Sequence, residues 1–138
     1  MSATGPAEAL YVDSSVLVAL LAVADSHHGS AVRLARTRTG PMVTSSVSEI
    51  EIGRALARRS GSRTVQRAAR ELLDRCDLVD LTSEIRLAAI GVRPASVRSL
   101  DAIHVATALV AGLTGFASFD ARQGIAAEEM GLKLVAST

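Results

Sequence analysis

The chain has 138 residues, of which 49% are hydrophobic and 21% are charged. This composition is sufficient for the core of one domain and excludes an intrinsically disordered chain. The single cysteine excludes an internal disulfide and a cysteine-rich zinc site, and the net charge of +1 excludes a strongly basic nucleic-acid binder.

The first half of the chain is predicted to contain two strands and three helices, after a polar N-terminal tail at residues 1–8 that is expected to be flexible. The strands are short apolar runs, and the helices begin close to serine or aspartate residues that can cap free backbone N–H groups. In chain order the predictions are a strand at 9–12, helices at Val16–Val23 and Ser26–Arg38, a strand at Met42–Thr44, and a helix from Ser45 or Ser46 to about Arg59.

The second half is predicted to continue this alternation of helices and short strands. Glycine, serine and proline at residues 60–62 and 91–96 favour turns or loops between the elements. In chain order the predictions are a helix at Thr64–Arg75, a strand at Leu78–Leu81, a helix from Thr82 or Ser83 to about Gly91, a helix at Ser99–Leu113, a strand at Gly115–Ser118, a helix at Ala121–Met130 and a strand at Leu132–Val135.

The short, wholly apolar strands between helices indicate an α/β domain with a parallel sheet that is covered by helices on both faces. The crossover connections are expected to be right-handed. Sites in such sheets form beyond the carboxyl ends of the strands. Polar residues that directly follow a strand are therefore the first candidates for function.

Two aspartates occupy such positions. Asp13 directly follows the first predicted strand, and Asp120 follows the fourth by two residues. A carboxylate at the end of a buried strand is costly unless it is solvated, paired or bound to a metal. Aspartate is also a good helix N-cap, and both residues precede a predicted helix. Each one is therefore either a capping residue or part of a site.

The helix at Ser99–Leu113 carries a third acid. Asp101 lies in its first turn, where the helix dipole favours a negative charge, and His104 lies three residues later on the same face. We interpret His104 as a hydrogen-bonded, partly buried histidine rather than a metal ligand, because sites of hard oxygen ligands rarely need imidazole. His27 and His28, at a polar helix start, are expected to face solvent.

Two glutamates lie close together in the third helix. Glu49 and Glu51 are two positions apart and face different directions, so at most one of them points into a given site. Glu51 is spaced to form a surface pair with Arg54, and Glu49 is placed to interact with the helix dipole in the first turn.

The joint arrangement of these acids points to a metal site. Asp13, Asp101 and Asp120 follow strands or begin helices, and a glutamate can converge with them at the carboxyl edge of one sheet. Clustered carboxylates repel each other, and a divalent cation such as Mg²⁺ or Mn²⁺, which prefers oxygen ligands, offsets this repulsion. Such a cluster can activate water and support in-line displacement at a phosphodiester.

Four motifs in this order resemble those of PIN-domain nucleases. They are Tyr11–Ser15, the pattern Thr-Ser-x5-Glu-Ile-x-Arg-Ala-Leu at residues 44–56, Leu-Asp-Ala-Ile-His-x-Ala-Thr-Ala at residues 100–108, and Ser-Phe-Asp-x-Arg at residues 118–122. Their order, their spacing and the chain length are most similar to the VapC-type toxins of bacterial toxin–antitoxin pairs. The resemblance extends over essentially the whole chain from residue 10 onward.

The resemblance implies a PIN-like three-layer α/β/α fold with a short, mainly parallel central sheet, in a single PIN domain at residues 9–138. It also implies a magnesium-dependent endoribonuclease, with Mn²⁺ as an alternative ion, that cleaves RNA and inhibits translation or growth. The implied partners are a cognate VapB-type antitoxin, an RNA substrate and a second copy of the chain in a homodimer.

Matched position by position, the resemblance implies the catalytic quartet Asp13, Glu51, Asp101 and Asp120. Asp13 and Asp101 look like the principal metal ligands, with Asp120 as a further ligand. Glu51 is preferred to Glu49 because it takes the glutamate position six residues after Ser45, although Glu49 stays open as an accessory acid.

Four more residues are expected to assist the quartet as accessory or substrate-binding groups: Ser14, Arg98, Ser118 and Arg122. Ser118 matches a small hydroxyl position that commonly supports the site in this family, and Ser14 lies where the family often has threonine or serine. Arg98 and Arg122 are close in sequence to Asp101 and Asp120. Their guanidinium groups are suited to phosphate.

Arginine dominates the basic residues, with only one lysine in the chain and seven arginines between residues 54 and 75, a bias that either a GC-rich genome or phosphate contacts would explain. Arg63, Arg67 and Arg70 share one helix face. Three interpretations stay open for this region: a rim that contacts RNA phosphates, an antitoxin-docking surface, or an ordinary solvated face. Because only 2% of residues are aromatic, RNA is expected to be held by metal, arginine and shape more than by base stacking.

Two other classes of function are less well supported. The complete quartet argues against a non-catalytic PIN-like module that binds RNA or protein, because such a module does not require all four acids. A phosphoryl-transfer or receiver-type domain is disfavoured because Asp13 lacks a second acid two residues on, and no glycine-rich phosphate loop is present. No apolar run can span a bilayer and no secretory signal is visible, so we expect a cytoplasmic protein without a membrane partner.

Overall fold

The computed structural model of the protein describes residues 8–59 and 61–136. Residues 1–7 of the predicted flexible tail lie outside these ranges. The last two residues of the predicted domain, 137 and 138, also lie outside them. In chain order the elements are β1 (Leu10–Val12), α1 (Ser14–Leu21), α2 (His28–Thr37), β2 (Met42–Ser45), α3 (Val47–Arg59), α4 (Arg63–Asp74), β3 (Asp77–Val79), α5 (Ser83–Ile90), α6 (Ser99–Val110), β4 (Gly115–Ala117), α7 (Ala121–Glu129) and β5 (Lys133–Ala136).

The five strands form one sheet in the order β3-β2-β1-β4-β5, and every pairing among the described strands is parallel. β1 is central, since Leu10 pairs with Met42 of β2 and with Gly115 of β4. The predicted α/β fold with a parallel sheet is confirmed. The carboxyl ends of β1, β2 and β4 lie at one edge, and the residues that follow these strands meet there.

Side chains of β1 alternate between two hydrophobic cores, one on each face of the sheet. Leu10 and Val12 pack in the core formed with α1, α3 and α4, and Tyr11 packs in the core formed with α5, α6 and α7. Helices therefore cover both faces, which confirms the predicted three layers. The strands carry apolar side chains on both faces of the sheet, so helices must cover both faces to keep these side chains out of water.

Every predicted helix and strand boundary lies within three residues of the observed one. α1 starts earlier than predicted, at Ser14, because Asp13 is its N-cap, and it ends where the backbone of Ala22 is extended. α6 ends at Val110 instead of Leu113. Gly112 has a φ of 75°, a left-handed conformation that stops the helix.

Among the described residues, no helix combines the length and the apolar character that crossing a bilayer requires.

Candidate active site

A cavity of about 400 Å³ lies where residues following β1 and β4 meet the starts of α3 and α6, and we call it the acidic cavity. Its lining includes all four acids of the predicted quartet: Asp13, Glu51, Asp101 and Asp120. β1 and β4 place the first and the last of these acids. Glu51 comes from α3, and Asp101 lies in the first turn of α6.

Asp13 is only 2% exposed and accepts four hydrogen bonds. Its Oδ1 accepts from the Ser15 hydroxyl at 2.6 Å and from the Val16 backbone N–H at 3.2 Å. Its Oδ2 accepts from the Ser118 hydroxyl at 2.5 Å and from the Gln123 side-chain amide at 2.7 Å. The bond from Val16 confirms that Asp13 caps α1, and the same carboxylate also lines the acidic cavity.

The pKa values of two of these acids, Asp13 and Asp101, are raised above their ordinary values. Burial raises the pKa of Asp13 above its ordinary value, although the hydrogen bonds from Ser118 and Ser15 oppose the shift. Burial also raises the pKa of Asp101, and the negative charges of Asp120 and Glu51 raise it further. The acidic cavity therefore favours the entry of positive charge.

Asp120 caps α7, which confirms the interpretation of this residue as a helix N-cap. Its Oδ1 accepts from the backbone N–H groups of Arg122 at 2.9 Å and Gln123 at 3.3 Å. The Ser118 hydroxyl accepts from the Asp120 N–H at 3.0 Å while it donates to Asp13. Ser118 thus connects the two strand-end aspartates and fixes their relative position.

Glu51 is held by a buried chain of hydrogen bonds. Its Oε1 lies 2.6 Å from Nε2 of His104, and Nδ1 of the same ring lies 2.6 Å from the Tyr11 hydroxyl. The hydroxyl also accepts from the Ser45 backbone N–H at 3.1 Å. A carboxylate only accepts, so Nε2 donates to Glu51, and Nδ1 of a neutral ring accepts from Tyr11. The interpretation of His104 as a hydrogen-bonded histidine is confirmed, but the ring is 1% exposed rather than partly buried.

Glu49 points away from the acidic cavity. Its Oε2 forms an ion pair with Arg70 of α4 at 3.3 Å, whereas Glu51 of the same helix contacts His104. The prediction that the two glutamates face different directions is confirmed. Glu49 is also absent from the lining of the acidic cavity, so it makes a suitable control for Glu51.

The other predicted accessory residues lie at the rim. Ser14 and Arg98 line the acidic cavity, and Arg122 lines an adjoining cavity of about 200 Å³ together with Arg98 and Asp101. Both arginine side chains are exposed. This placement puts two cationic groups beside the entrance to the acids.

Sequence reasoning missed Gln123 as a member of the site. Gln123 is buried, donates to Asp13 and lines the acidic cavity. Its position in the first turn of α7, three residues after Asp120, was the available signal, because first-turn residues of a helix that begins at the sheet edge are directed toward that edge.

The expectation that His27 and His28 face solvent is correct only in part, since the His27 side chain is 37% exposed but both residues are half-buried. Nδ1 of His28 donates to the backbone carbonyl of Ala19 at 2.7 Å. The ring of His27 is stacked on Phe119, with ring centroids 4.5 Å apart. The polar sequence around the helix start did not indicate these contacts, because both partners belong to other elements.

Within the described ranges, no group of three or more His, Cys, Asp or Glu side chains has an arrangement that could hold a metal ion. The donor chemistry of the acidic cavity suits a hard divalent cation, because four carboxylates line it and no thiol does. A cation there would also offset the repulsion that raises the pKa of Asp101.

The chain matches a family model described as PIN domain over residues 10–129. Ribonuclease VapC46 of Mycobacterium tuberculosis is 35% identical over 130 residues, which cover 93% of this chain and 97% of that protein. Ribonuclease VapC35 of the same species is 34% identical over 131 residues, which cover 92% of this chain and 96% of that protein.

Solved structures show the same fold. The crystal structure of Mycobacterium tuberculosis VapC20, a toxin that cleaves the sarcin-ricin loop, has a TM-score of 0.73 at 24% identity and covers 85% of this chain and 94% of its own. VapBC2 from Rickettsia felis, bound to a DNA fragment from its promoter, has a TM-score of 0.68 at 14% identity and covers 92% and 98%. The family match and the sequence relatives together show that the chain belongs to the PIN domain family and, within it, to the VapC group.

Proposed function

We propose that this protein is an endoribonuclease that depends on Mg²⁺ or Mn²⁺ and acts as the toxin of a toxin–antitoxin pair, where RNA cleavage inhibits translation or growth. The observation that carries the proposal is the acidic cavity, in which four acids from four separate parts of the chain line one space. The ribonuclease names of the sequence relatives support the same reaction class.

In this proposal Asp13, Asp101 and Asp120 would hold the divalent cation once their side chains turn toward a common point, since they line the acidic cavity and their oxygens are the ligands that Mg²⁺ prefers. A cation held by these acids would supply Lewis-acid activation of water and would stabilise negative charge on the phosphate oxygens. Ser15, Ser118 and Gln123 orient the Asp13 carboxylate through their hydrogen bonds.

Glu51 accepts the proton of the attacking water in this proposal, because its carboxylate lines the cavity and its Oε1 is fixed by His104. Arg98 and Arg122 bind phosphate oxygens at the rim, where their exposed guanidinium groups orient the RNA backbone beside the acids. Asp13 is buried, so water screens the attraction between its carboxylate and a bound cation less than it would at the surface.

The test compares Glu51→Gln with Glu49→Gln, two substitutions that remove the same charge two positions apart on α3. Cleavage of a labelled cellular RNA pool in Mg²⁺ is expected to fall by at least about 100-fold for Glu51→Gln, the usual effect of a lost general base. Glu49→Gln is expected to cleave at the wild-type rate, and EDTA is expected to abolish cleavage by the wild type.

Wild-type protein that binds the RNA pool without cleaving it in Mg²⁺ or Mn²⁺ would instead support a non-catalytic binding module. Equal cleavage by Glu51→Gln and the wild type would remove Glu51 from the mechanism.

We further propose a VapB-type antitoxin as the partner, a homodimer as the oligomeric state and the cytoplasm as the place of action. Solved complexes of related fold contain a toxin with its antitoxin, which supports the first of these. Expression of the protein alone is expected to arrest growth, and co-expression with the product of a neighbouring small reading frame is expected to restore it. Growth arrest that no such product relieves would contradict the partner proposal.

A further inference from the structure

A second cavity, of about 600 Å³, adjoins the acidic cavity, and we call it the lateral groove. Its lining comes mainly from α1, α3, the segment before α2 and Phe119. The two cavities share five lining residues: Ser14, Ser15, Glu51, Leu100 and Asp120. A ligand that places one group at the four acids can therefore continue into the lateral groove.

The lateral groove contains a flat aromatic surface. The rings of His27 and Phe119 lie 4.5 Å apart at an interplanar angle of 12°, and both residues line the groove. The His27 side chain is 37% exposed, so the stacked pair is in contact with the space of the groove. Planar rings with an accessible surface are the groups on which unpaired nucleobases stack.

This aromatic pair is fixed relative to the acids. The Phe119 backbone N–H donates to the Ser15 hydroxyl at 2.9 Å, and that hydroxyl donates to Asp13 at 2.6 Å. On the other side, the His27 backbone N–H donates to Asp25 at 2.8 Å, and Arg59 pairs with Asp25 at 3.5 Å. Phe119 is therefore connected through Ser15 to Asp13 in the acidic cavity, and His27 is connected through Asp25 to α3, so hydrogen bonds and an ion pair position both rings.

The part of the lateral groove that α3 lines carries cationic groups. Arg54 and Arg58 lie one helical turn apart on α3, line the lateral groove and have exposed side chains. Neither forms an ion pair with another residue in the described part of the chain, in contrast to Arg59, which is paired with Asp25. Two guanidinium groups are thus available for phosphate oxygens.

We propose that the lateral groove binds an unpaired stretch of RNA next to the scissile phosphate, with a nucleobase stacked on the His27–Phe119 pair and backbone phosphates on Arg54 and Arg58. The inference rests on the proposed nuclease function, because it takes the acidic cavity as the place of the scissile phosphate. The His27–Phe119 pair can stack with a base only if that base is unpaired. The lateral groove therefore selects single-stranded RNA over duplex RNA, because the bases of a duplex are already stacked on each other.

The test uses the full chain with the substitution Asp101→Asn, which is expected to stop cleavage and lies outside the lateral groove. The probes are single-stranded RNAs of about 12 nucleotides, a length within the range that single-strand grooves accommodate, each with one 2-aminopurine at a different position. Binding is expected to quench the 2-aminopurine at one position, because stacking quenches this base. The same RNA annealed to its complement is expected to bind at least about tenfold more weakly.

Two substitutions at His27 separate stacking from a structural role. His27→Gln removes the aromatic ring and is expected to abolish the position-specific quenching and to weaken binding about tenfold. His27→Phe keeps a ring and is expected to retain both. Phe119→Leu, which keeps an apolar side chain in place, is a second way to remove the platform if His27→Gln lowers the unfolding temperature.

The arginines are tested by the dependence of affinity on salt. The double variant Arg54→Ala/Arg58→Ala is expected to reduce the slope of log affinity against log salt by about 1.4, or about 0.7 for each lost phosphate contact on a single strand. Arg33→Ala/Arg36→Ala removes the same charge from α2, outside the lateral groove, and is expected to leave the slope unchanged.

Unchanged quenching in His27→Gln and in Phe119→Leu would overturn the proposal, as would an Asp101→Asn protein that binds none of these RNAs. Variants that bind RNA normally but lose affinity for the antitoxin would also overturn it and would assign the lateral groove to a protein partner. Wild-type cleavage of the cellular RNA pool is measured in parallel, so a failure of the nuclease proposal is distinguishable from a failure of this one.

Discussion

Tyr11 connects the hydrophobic core with the candidate active site. Its ring stacks on Phe116, with centroids 5.1 Å apart, and its hydroxyl lies between His104 and the Ser45 backbone N–H. Burial raises the pKa of the Tyr11 hydroxyl above its ordinary value, so the group keeps its proton and can donate it to His104. A single hydroxyl thus satisfies two buried polar groups.

Tyr11→Phe is expected to lower the free energy of unfolding by about 1–3 kcal/mol, because phenylalanine keeps the stacked ring but leaves two buried groups without a partner. Urea denaturation of the wild type and the variant measures this difference. Thr37→Val removes a hydroxyl from an exposed position and is expected to change stability by less than about 0.5 kcal/mol. A similar small change in Tyr11→Phe would mean that the hydroxyl contributes little to stability.

At the level of single residues, the sequence predicted which acids lie at the edge of the sheet, but it did not predict which side chains contact them. The spacing of Glu49 and Glu51 already required different directions, because side chains two positions apart on a helix diverge. The hydrogen bonds of Gln123 and the stacking of His27 were not predicted. Both contacts join residues far apart in the chain, and local periodicity carries no information about them.

The helices were predicted more accurately than these contacts because their ends depend on local chemistry. Asp13, Thr82 and Asp120 each accept a hydrogen bond from a backbone N–H group in the first turn of the helix that follows. Such caps satisfy N–H groups that have no partner within the helix. Two of these caps belong to the candidate site, whereas Thr82 caps α5 away from it.

Thr82→Ala is therefore expected to destabilise the protein without affecting catalysis. Loss of the bond from the Ile85 N–H to Thr82, which measures 3.2 Å, is expected to lower the free energy of unfolding by about 1 kcal/mol. RNA cleavage below the unfolding transition is expected to stay at the wild-type rate. Thr82→Ser keeps the capping oxygen and serves as the control, and a loss of stability in both variants would contradict the capping explanation.

At the scale of the whole molecule, the acids at the sheet edge make stability depend on pH. An acid whose pKa is raised by folding binds more protons in the folded state than in the unfolded state. The free energy of unfolding then falls as pH rises from the ordinary aspartate pKa through the raised one. The raised pKa values of Asp13 and Asp101 predict such a loss in the absence of a divalent cation.

Asp101→Asn removes one of these carboxylates and is expected to be more stable than the wild type in EDTA, by a margin that grows as pH rises above the ordinary aspartate range. Mg²⁺ is expected to raise the unfolding temperature of the wild type over the same range, because a ligand that binds only the folded state stabilises it. Thermal unfolding between about pH 4 and 8 measures both effects. Asp74→Asn, at an exposed position on α4, controls for the loss of one charge, and a margin that shrinks with pH would contradict the prediction.

By itself the sequence determined the order of strands and helices, the parallel sheet, and the acids that the strand ends and helix starts bring to one edge, because these follow from local periodicity and capping. Only the tertiary structure decided that Glu51 accepts a hydrogen bond from His104 while Glu49 pairs with Arg70. It also decided that Gln123 donates a hydrogen bond to Asp13. The structure also changed what the scarcity of aromatic residues implied, since it stacks His27 on Phe119 beside the acids. Such pairs depend on how distant elements pack, and packing is a property of the folded molecule as a whole.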